Sequence, residues 1–469
     1  MILEQFYLQC LSHASYLIGD EETGRAIIVD PRRDVDEYLA DAHQHGLRIE
    51  GVINTHFHAD FVSGHLELAA ATGAWIGFGE AAETDFPIRR LRHGERISLG
   101  AVELEVLSTP GHTWESISLL VRDRAAPIAV LTGDSLFIGD VGRPDLANLG
   151  GTSNTDLARA MYGTIHETLL ALPDHVQVMP AHGAGSSCGK NLSAALVSTI
   201  GEQRLTNPAV QPMTEDDFVA LITSGQPAVP GYFSTDADLN RRVHTLFDSA
   251  RTVPALTDAE LRDVLSGAGA FVIDTRAPEE FAVGHLAGSV NVGLGGRFAE
   301  TCGMVADIGD PILAVTNPGH EQEALLRLSR IGYDNVVGVY DTRSGESGSA
   351  FPASLSEFVE HTDRVTVAEL ADLLRQDSIT LLDVRNLGER ESGYIAGSLH
   401  IPLAELARRG AEVPDGRPVV VHCQSGWRSS VAASLLRAQG HSATTDLLGG
   451  YAAWSEAMAA TPGSETAEE

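Results

Sequence analysis

The chain has 469 residues, 43% of them hydrophobic, and sets 32 basic against 64 acidic side chains for a formal net charge of −32. That length outgrows a single hydrophobic core and points to roughly two to four domains, while the charge excludes polyanionic partners, nucleic acid and anionic membrane surfaces alike. The opening MILEQFYLQC has neither the basic n-region nor the long apolar stretch of a signal peptide, and no later apolar run is long enough to span a bilayer, so a cytoplasmic location is expected.

Short β-rich runs come first: RAIIVD (25–30), EGVINT (50–55), VELEVLSTP (102–110), ISLLV (117–121), IAVLTGD (128–134) and VQVMPAH (176–182). Several end directly in a polar cluster, which places His56, His112, Asp134 and His182 on loops at strand ends, where chemistry is usually mounted on a rigid sheet. In INTHFHADFVSGH (53–65), His56, His58 and Asp60 bring two imidazoles and a carboxylate within reach of one point if the loop curls, and His112 and Asp134 can converge there from neighbouring strands. AHGAGSSCGKN (181–191) is not a phosphate-binding loop, because Ala184 replaces a required glycine and Asn191 the hydroxyl that would reach Mg²⁺. It contains Lys190, the only lysine of the chain.

A connecting arm follows, and then an internal duplication. LTDAELRDVLSGAGAFVIDTRAPEEFAVGHLAGSVNV (256–292) aligns with VTVAELADLLRQDSITLLDVRNLGERESGYIAGSLHI (365–401) at a constant offset of 109 residues, pairing Asp274 with Asp383 and Arg276 with Arg385. Each copy reads as helix, buried strand, turn, helix and further strand, an α/β unit. A Gly- and Ser-rich linker (341–361) separates the copies, and PGSETAEE forms a frayed tail. Cys10, Cys188, Cys302 and Cys423 are far apart and form no CxxC pair, so any functional cysteine acts alone.

The second copy holds PVVVHCQSGWRSSVAASLL (418–436): a buried strand, a six-residue loop from Cys423 through Gln424, Ser425, Gly426 and Trp427 to Arg428, then a helix that begins around Ser429. Inward backbone N–H groups and a helix N-terminus stabilise an anion on the cysteine sulfur and favour a nucleophilic thiolate. Arg428 adds a fixed cation.

On the series THxHxD, PGHT, TGD and PAHG, residues 1–250 resemble the metallo-β-lactamase superfamily, more narrowly its glyoxalase II-like and persulfide dioxygenase branch. The resemblance implies an αββα sandwich. In two-metal members a histidine follows the aspartate of HxHxDH and ligates the second metal; Phe61 stands there instead, which implies one metal per chain. In the mononuclear dioxygenases the ion is held by residues corresponding to His56, His112 and Asp134, a triad with open positions suited to Fe(II) and O₂, although the same donors also bind zinc or manganese. His58, Asp60 and His182 then either orient ligands or substrate or are ordinary hydrogen-bonded loop residues. Arg143, in GDVGRPDL, binds a substrate carboxylate, steadies the site, or is a plain turn arginine; Cys188 either takes in sulfur near the metal or is a small buried cysteine.

The Cys423 loop resembles the rhodanese pattern CxxGxRS, with upstream matches at Asp383, Arg385, Glu389, Gly393, Gly397 and Pro402. Six residues suit a persulfide sulfur better than the phosphate of the related, longer phosphatase loop. The first copy has Thr316, Asn317 and Pro318 where Cys423 aligns, so it resembles a pseudo-rhodanese, and Cys302 is expected to be structural. The whole chain thus resembles the multidomain persulfide dioxygenase–sulfurtransferase fusions: a metallo-β-lactamase domain (1–250), an inactive rhodanese-like domain (255–350) and an active one (362–460), all α/β. This implies that a low-molecular-weight thiol persulfide, of glutathione, coenzyme A or another thiol, is oxidised by O₂ to sulfite. It further implies that Cys423 moves sulfur between persulfide, sulfite and thiosulfate in sulfide detoxification, in a homo-oligomeric protein. Two rivals are a glyoxalase II-like thioester hydrolase with an accessory rhodanese module, and a non-catalytic sensing or docking module.

Overall fold

Each of the six β-rich runs forms a strand: Arg25–Val29, Arg48–Ile53, Val102–Ser108, Ile117–Asp123, Ala126–Gly133 and Gln177–Pro180. The computed structural model describes residues 1–146, 153–267, 269–342 and 350–460; the end of the chain, including PGSETAEE, and positions 343–349 of the linker lie outside them. The chain divides into two units, Met1–Ala250 with Ser329–Gly332, and Arg251–Leu328 with Tyr333–Glu469. Among the described residues no helix is long and apolar enough to cross a membrane.

In the first unit, six strands from Ile2–Leu8 to Arg89–Leu91 form one sheet in sequential order, and six from Arg96–Ser98 to Ser198–Thr199 form the other. Strand His13–Asp20 is buried along its whole length, as expected of a strand covered on both faces. One apolar cluster, with Tyr16, Ile18, Val29, Leu104, Val106 and Leu119, draws on both sheets and fills the space between them. A second packs Ile28 and Val52 against Tyr38 and Leu68 of helices Asp36–Gln44 and His65–Thr72; a third packs Leu120 and Val130 against Met161 and Phe218 of helices Asn154–Gly163 and Glu215–Thr223. Helix, sheet, sheet, helix is therefore the layer order, the αββα sandwich expected. At about 1.5–3 kcal/mol for each large side chain buried, these three apolar clusters fix the strand ends from which the candidate ligands project. Lys190 closes the C-terminal end of helix Glu215–Thr223, donating from Nζ to the carbonyls of Leu221 at 2.6 Å and Ser224 at 3.0 Å, where the helix dipole favours a cation.

The second unit shows the duplication in three dimensions. Strands Val290–Asn291, Phe271–Asp274, Ile312–Thr316 and Val336–Asp341 form one parallel sheet; Leu399–His400, Thr380–Asp383, Val419–His422 and Thr444–Leu447 repeat the same order in the other, with Arg364–Val365 added at the edge. Matching capping boxes, Thr257 with Glu260 and Thr366 with Glu369, start the first helix of each copy. Both copies keep a buried ion pair, Asp274–Arg276 at 2.5 Å and Asp383–Arg385 at 2.8 Å. In each the arginine also donates to a glycine carbonyl, Gly284 or Gly393, at 2.8 Å. Sheet register pairs Asp274 with Val315 and Asp383 with His422, so Thr316 is the structural counterpart of Cys423.

Candidate active sites

His56 follows strand Arg48–Ile53, His112 follows Val102–Ser108 and Asp134 follows Ala126–Gly133, and the three meet. The ligand atoms of this buried trio lie within 4.8 Å of one another. Asp134 Oδ2 is 3.8 Å from His56 Nε2 and 3.6 Å from His112 Nε2, too far for hydrogen bonds and suited to a shared cation.

The tautomers follow from the neighbours. His112 Nδ1 faces the carbonyl of Arg143 at 2.8 Å, and a carbonyl only accepts, so Nδ1 carries the proton. Thr55 Oγ1 donates to Asp30 Oδ2 at 2.9 Å, which leaves its oxygen to accept from His56 Nδ1 at 3.0 Å. Both imidazoles therefore turn a bare Nε2 towards Asp134, as metal ligands must. Burial, reinforced by neighbouring histidines, holds His56 well below its ordinary pKa, and burial brings His112 down to about 4, so both are neutral near pH 7. Burial pushes the Asp134 carboxyl up to about 6. A buried carboxylate among neutral imidazoles fits a cation, and the donor set of two imidazoles and one carboxylate fits Fe(II).

His58, Asp60 and His182 form a second buried group with ligand atoms within 4.8 Å. Burial opposes charge on His58, but Asp30, 2.9 Å from its Nε2, outweighs that and holds it above its ordinary pKa. His182 Nε2 lies 3.5 Å from Asp60 and 3.6 Å from Asp134. Phe61 is fully buried, its ring centroid 4.4 Å from that of His58 and 4.1 Å from that of His13. Cys188 forms a third group with Asp134 and His182, and burial pushes its thiol well above the ordinary value. Arg143 is not a surface residue: it is 1% exposed, its guanidinium bonds Asp145 at 2.6 and 2.7 Å and the Ser187 carbonyl at 3.1 Å, and its own amide donates to the Cys188 carbonyl. It ties the His112 side of the site to the Cys188 loop.

Sequence reasoning missed His13 and Asp30. Asp30 ends an apolar run just as Asp134 does, and its backbone has φ of 52°, so the signal that selected Asp134 applied to it too. His13 carries no motif; the bridge between His13 and His182 brings it to the site.

In the second copy Cys423 is 1% exposed and directly follows strand Val419–His422, while the helix Trp427–Ala438 starts directly after Gly426, whose φ is 99°. The Gly426 amide donates to Cys423 Sγ at 3.2 Å. Arg428 is held by Glu389 at 2.6 and 2.8 Å, and Gln424 accepts from Arg385 at 3.3 Å. Gln424 and Ser425 are exposed, Trp427 is half-buried and Ser429 is buried. Amides of Tyr451 and Ala452, at the start of helix Gly450–Ala459, grip the carbonyls of Cys423 and Gln424 at 2.7 and 3.0 Å. In the first copy the loop is neutral to acidic: Thr316 bonds Asp341, and Asn317 donates to Glu280.

Residues 8–182 match the metallo-beta-lactamase superfamily, and residues 257–342 and 366–457 each match the rhodanese-like domain. The solved structure of a metallo-beta-lactamase from Staphylococcus aureus subsp. aureus COL is similar over 72% of this chain and 99% of its own, with 34% identity and a TM-score of 0.66. A hydroxyacylglutathione hydrolase of Polaromonas sp. is 37% identical over 39% of this chain and 66% of its own length. The mitochondrial persulfide dioxygenase ETHE1 of Bos taurus is 28% identical over 47% of this chain and 80% of its own. The chain spans 54% and 66% of the length of the first two curated relatives it matches.

Proposed function

Because the chain belongs to the metallo-beta-lactamase superfamily and carries two rhodanese-like domains, we propose that it oxidises a low-molecular-weight thiol persulfide at one Fe(II) and transfers sulfur through Cys423. The observation that carries this reading is Phe61: a buried ring without a donor atom stands where a second metal would need a ligand. His56, His112 and Asp134 would hold the ion, which, when bound, supplies activation of O₂ and oxidation of the persulfide's outer sulfur. Persulfide, O₂ and water then give thiol and sulfite. Asp30 orients His58 and, through Thr55, His56; Arg143 steadies His112 by its carbonyl. Cys188, beside Asp134 and His182, is where sulfur passed within the protein would arrive. Cys423 takes up sulfur as a persulfide and passes it to sulfite as thiosulfate, or returns it in the opposite direction. Fusion keeps the reactive sulfur at high effective concentration.

The test is O₂ uptake by Fe(II)-loaded protein offered glutathione persulfide, with His112→Ala as control. Uptake with sulfite or thiosulfate formed, and lost in the variant, supports the dioxygenase. One observation favours a glyoxalase II-like hydrolase instead, namely the second ligand group His58, Asp60 and His182. That reading takes precedence if neither glutathione persulfide nor coenzyme A persulfide drives O₂ uptake.

A further inference from the structure

The arginine of the CxxGxRS loop is already matched by Glu389, yet another half-buried arginine reaches the same loop from outside the motif. Arg364 lies in the edge strand Arg364–Val365, whose parallel register sets it beside Asp446. Its side chain is 10% exposed. The guanidinium holds Asp446 through Nε at 3.1 Å and Nη2 at 2.9 Å, Glu279 of the first copy through Nη1 at 2.7 Å, and reaches the Gly426 carbonyl with Nη2 at 3.5 Å. The Asp446 oxygen that Arg364 Nη2 holds, Oδ2, also lies 3.5 Å from Ser429 Oγ, and Ser429 Oγ lies 3.7 Å from Cys423 Sγ.

The Ser429 hydroxyl has one proton and two neighbours that can accept it, the Asp446 carboxylate and the sulfur once it is an anion. Without a counter-charge Asp446 would win, since a bare buried carboxylate binds a donor strongly. Arg364 spends its charge on Asp446 and leaves the hydroxyl free to turn to sulfur. It also steadies the carbonyl of Gly426, the residue whose amide touches Sγ.

The duplication supplies an internal control. The buried Asp–Arg pair at 274/276 and 383/385 is present in both copies and is therefore structural. The partners of Arg364 and Asp446 in the first copy are Ala255 and Val339, joined by the corresponding parallel bridge. The Arg364–Asp446 pair is thus present where the nucleophile is present and missing where Thr316 replaces it.

We propose that Arg364, with Asp446, is a positioning residue that directs the Ser429 hydroxyl to the Cys423 sulfur during sulfur transfer; this rests on the sulfurtransferase reading of that loop. The step is Cys423–S⁻ + R–S–SH → Cys423–S–SH + R–S⁻: a sulfur–sulfur bond to Cys423 forms as the one to R–S breaks, and the thiolate leaves with the electron pair.

The experiment offers glutathione persulfide to the full-length protein and follows one added sulfur on Cys423 by mass spectrometry. In parallel, the rate of Cys423 alkylation by iodoacetamide is measured, and melting curves check the fold. Arg364→Gln is expected to slow both reactions about tenfold, the scale of one charged hydrogen bond. Ser429→Ala loses a similar factor, and Arg364→Gln/Asp446→Asn regains most of it, because the competing carboxylate is gone. Wild-type rates in folded Arg364→Gln, or no recovery in the double variant, overturn the proposal. Should Arg364→Gln fail to fold, Ser429→Ala decides, since it leaves the ion pair intact, and full reactivity there also overturns it. If the wild type takes up no sulfur although iodoacetamide alkylates Cys423, the sulfurtransferase reading fails, while the alkylation rates still test the positioning role.

Discussion

On the one-metal proposal, a single side chain, Phe61, would set metal stoichiometry. Its ring packs against His58, which groups with Asp60 and His182 as a second candidate ligand set, and Phe61 adds no donor to it. Phe61→His is expected to raise bound metal from about one to about two ions per chain, read by elemental analysis of protein loaded with excess Zn²⁺; a ratio that stays at one counts against the Phe61 argument. The candidate ligands were legible as polar residues at the ends of apolar runs, and the family resemblance singled out the trio. His13 was not, because its position comes from the pairing of strands far apart in sequence, and no local pattern encodes that. The Arg143 guanidinium was legible as a candidate but not in its role: only the fold reveals that Asp145, two residues on, already occupies it.

At the level of elements, the Cys423 loop depends on the turn that follows strand Thr444–Leu447. Gly450 has φ of 59°, and a Cβ added to it would stand 2.5 Å from the Cys423 carbonyl. Gly450→Ala therefore costs about 1–2 kcal/mol for the left-handed backbone alone, and the clash pushes back the carbonyl that Tyr451 grips. A lower melting temperature together with slowed Cys423 alkylation is expected; normal alkylation in a folded variant would show that the turn does not hold the loop. The repeat was legible from its offset of 109 residues, which the capping boxes, the buried ion pairs and the strands Phe271–Asp274 and Val290–Asn291 with their counterparts follow. Where that register ends was not. Strand pairing shows the connection between the first two central strands to be two residues longer in the first copy, a change that sequence patterns absorb silently because loop length is weakly constrained.

The whole molecule comprises two units with separate cores. Calorimetry is expected to resolve two transitions, of which metal removal lowers only the one belonging to the first unit, by roughly 5–10 °C if the ion had been present at a hundredfold its dissociation constant. A shift of both transitions, or a single one, would contradict this assignment. The layer order of the first unit followed from its strand pattern and from the family resemblance together, since alternating strands alone do not say which faces meet.

The ammonium of Lys190 is the one lysine charge in a chain of 469 residues, and it is spent on the end of a helix two residues from Cys188. An amine-selective dye consequently finds a single side chain to acylate. Its rate of capture becomes a clock for how often this helix end lets go, and a peptide map would show the mark on the same fragment as Cys188, the cysteine beside the candidate metal ligands.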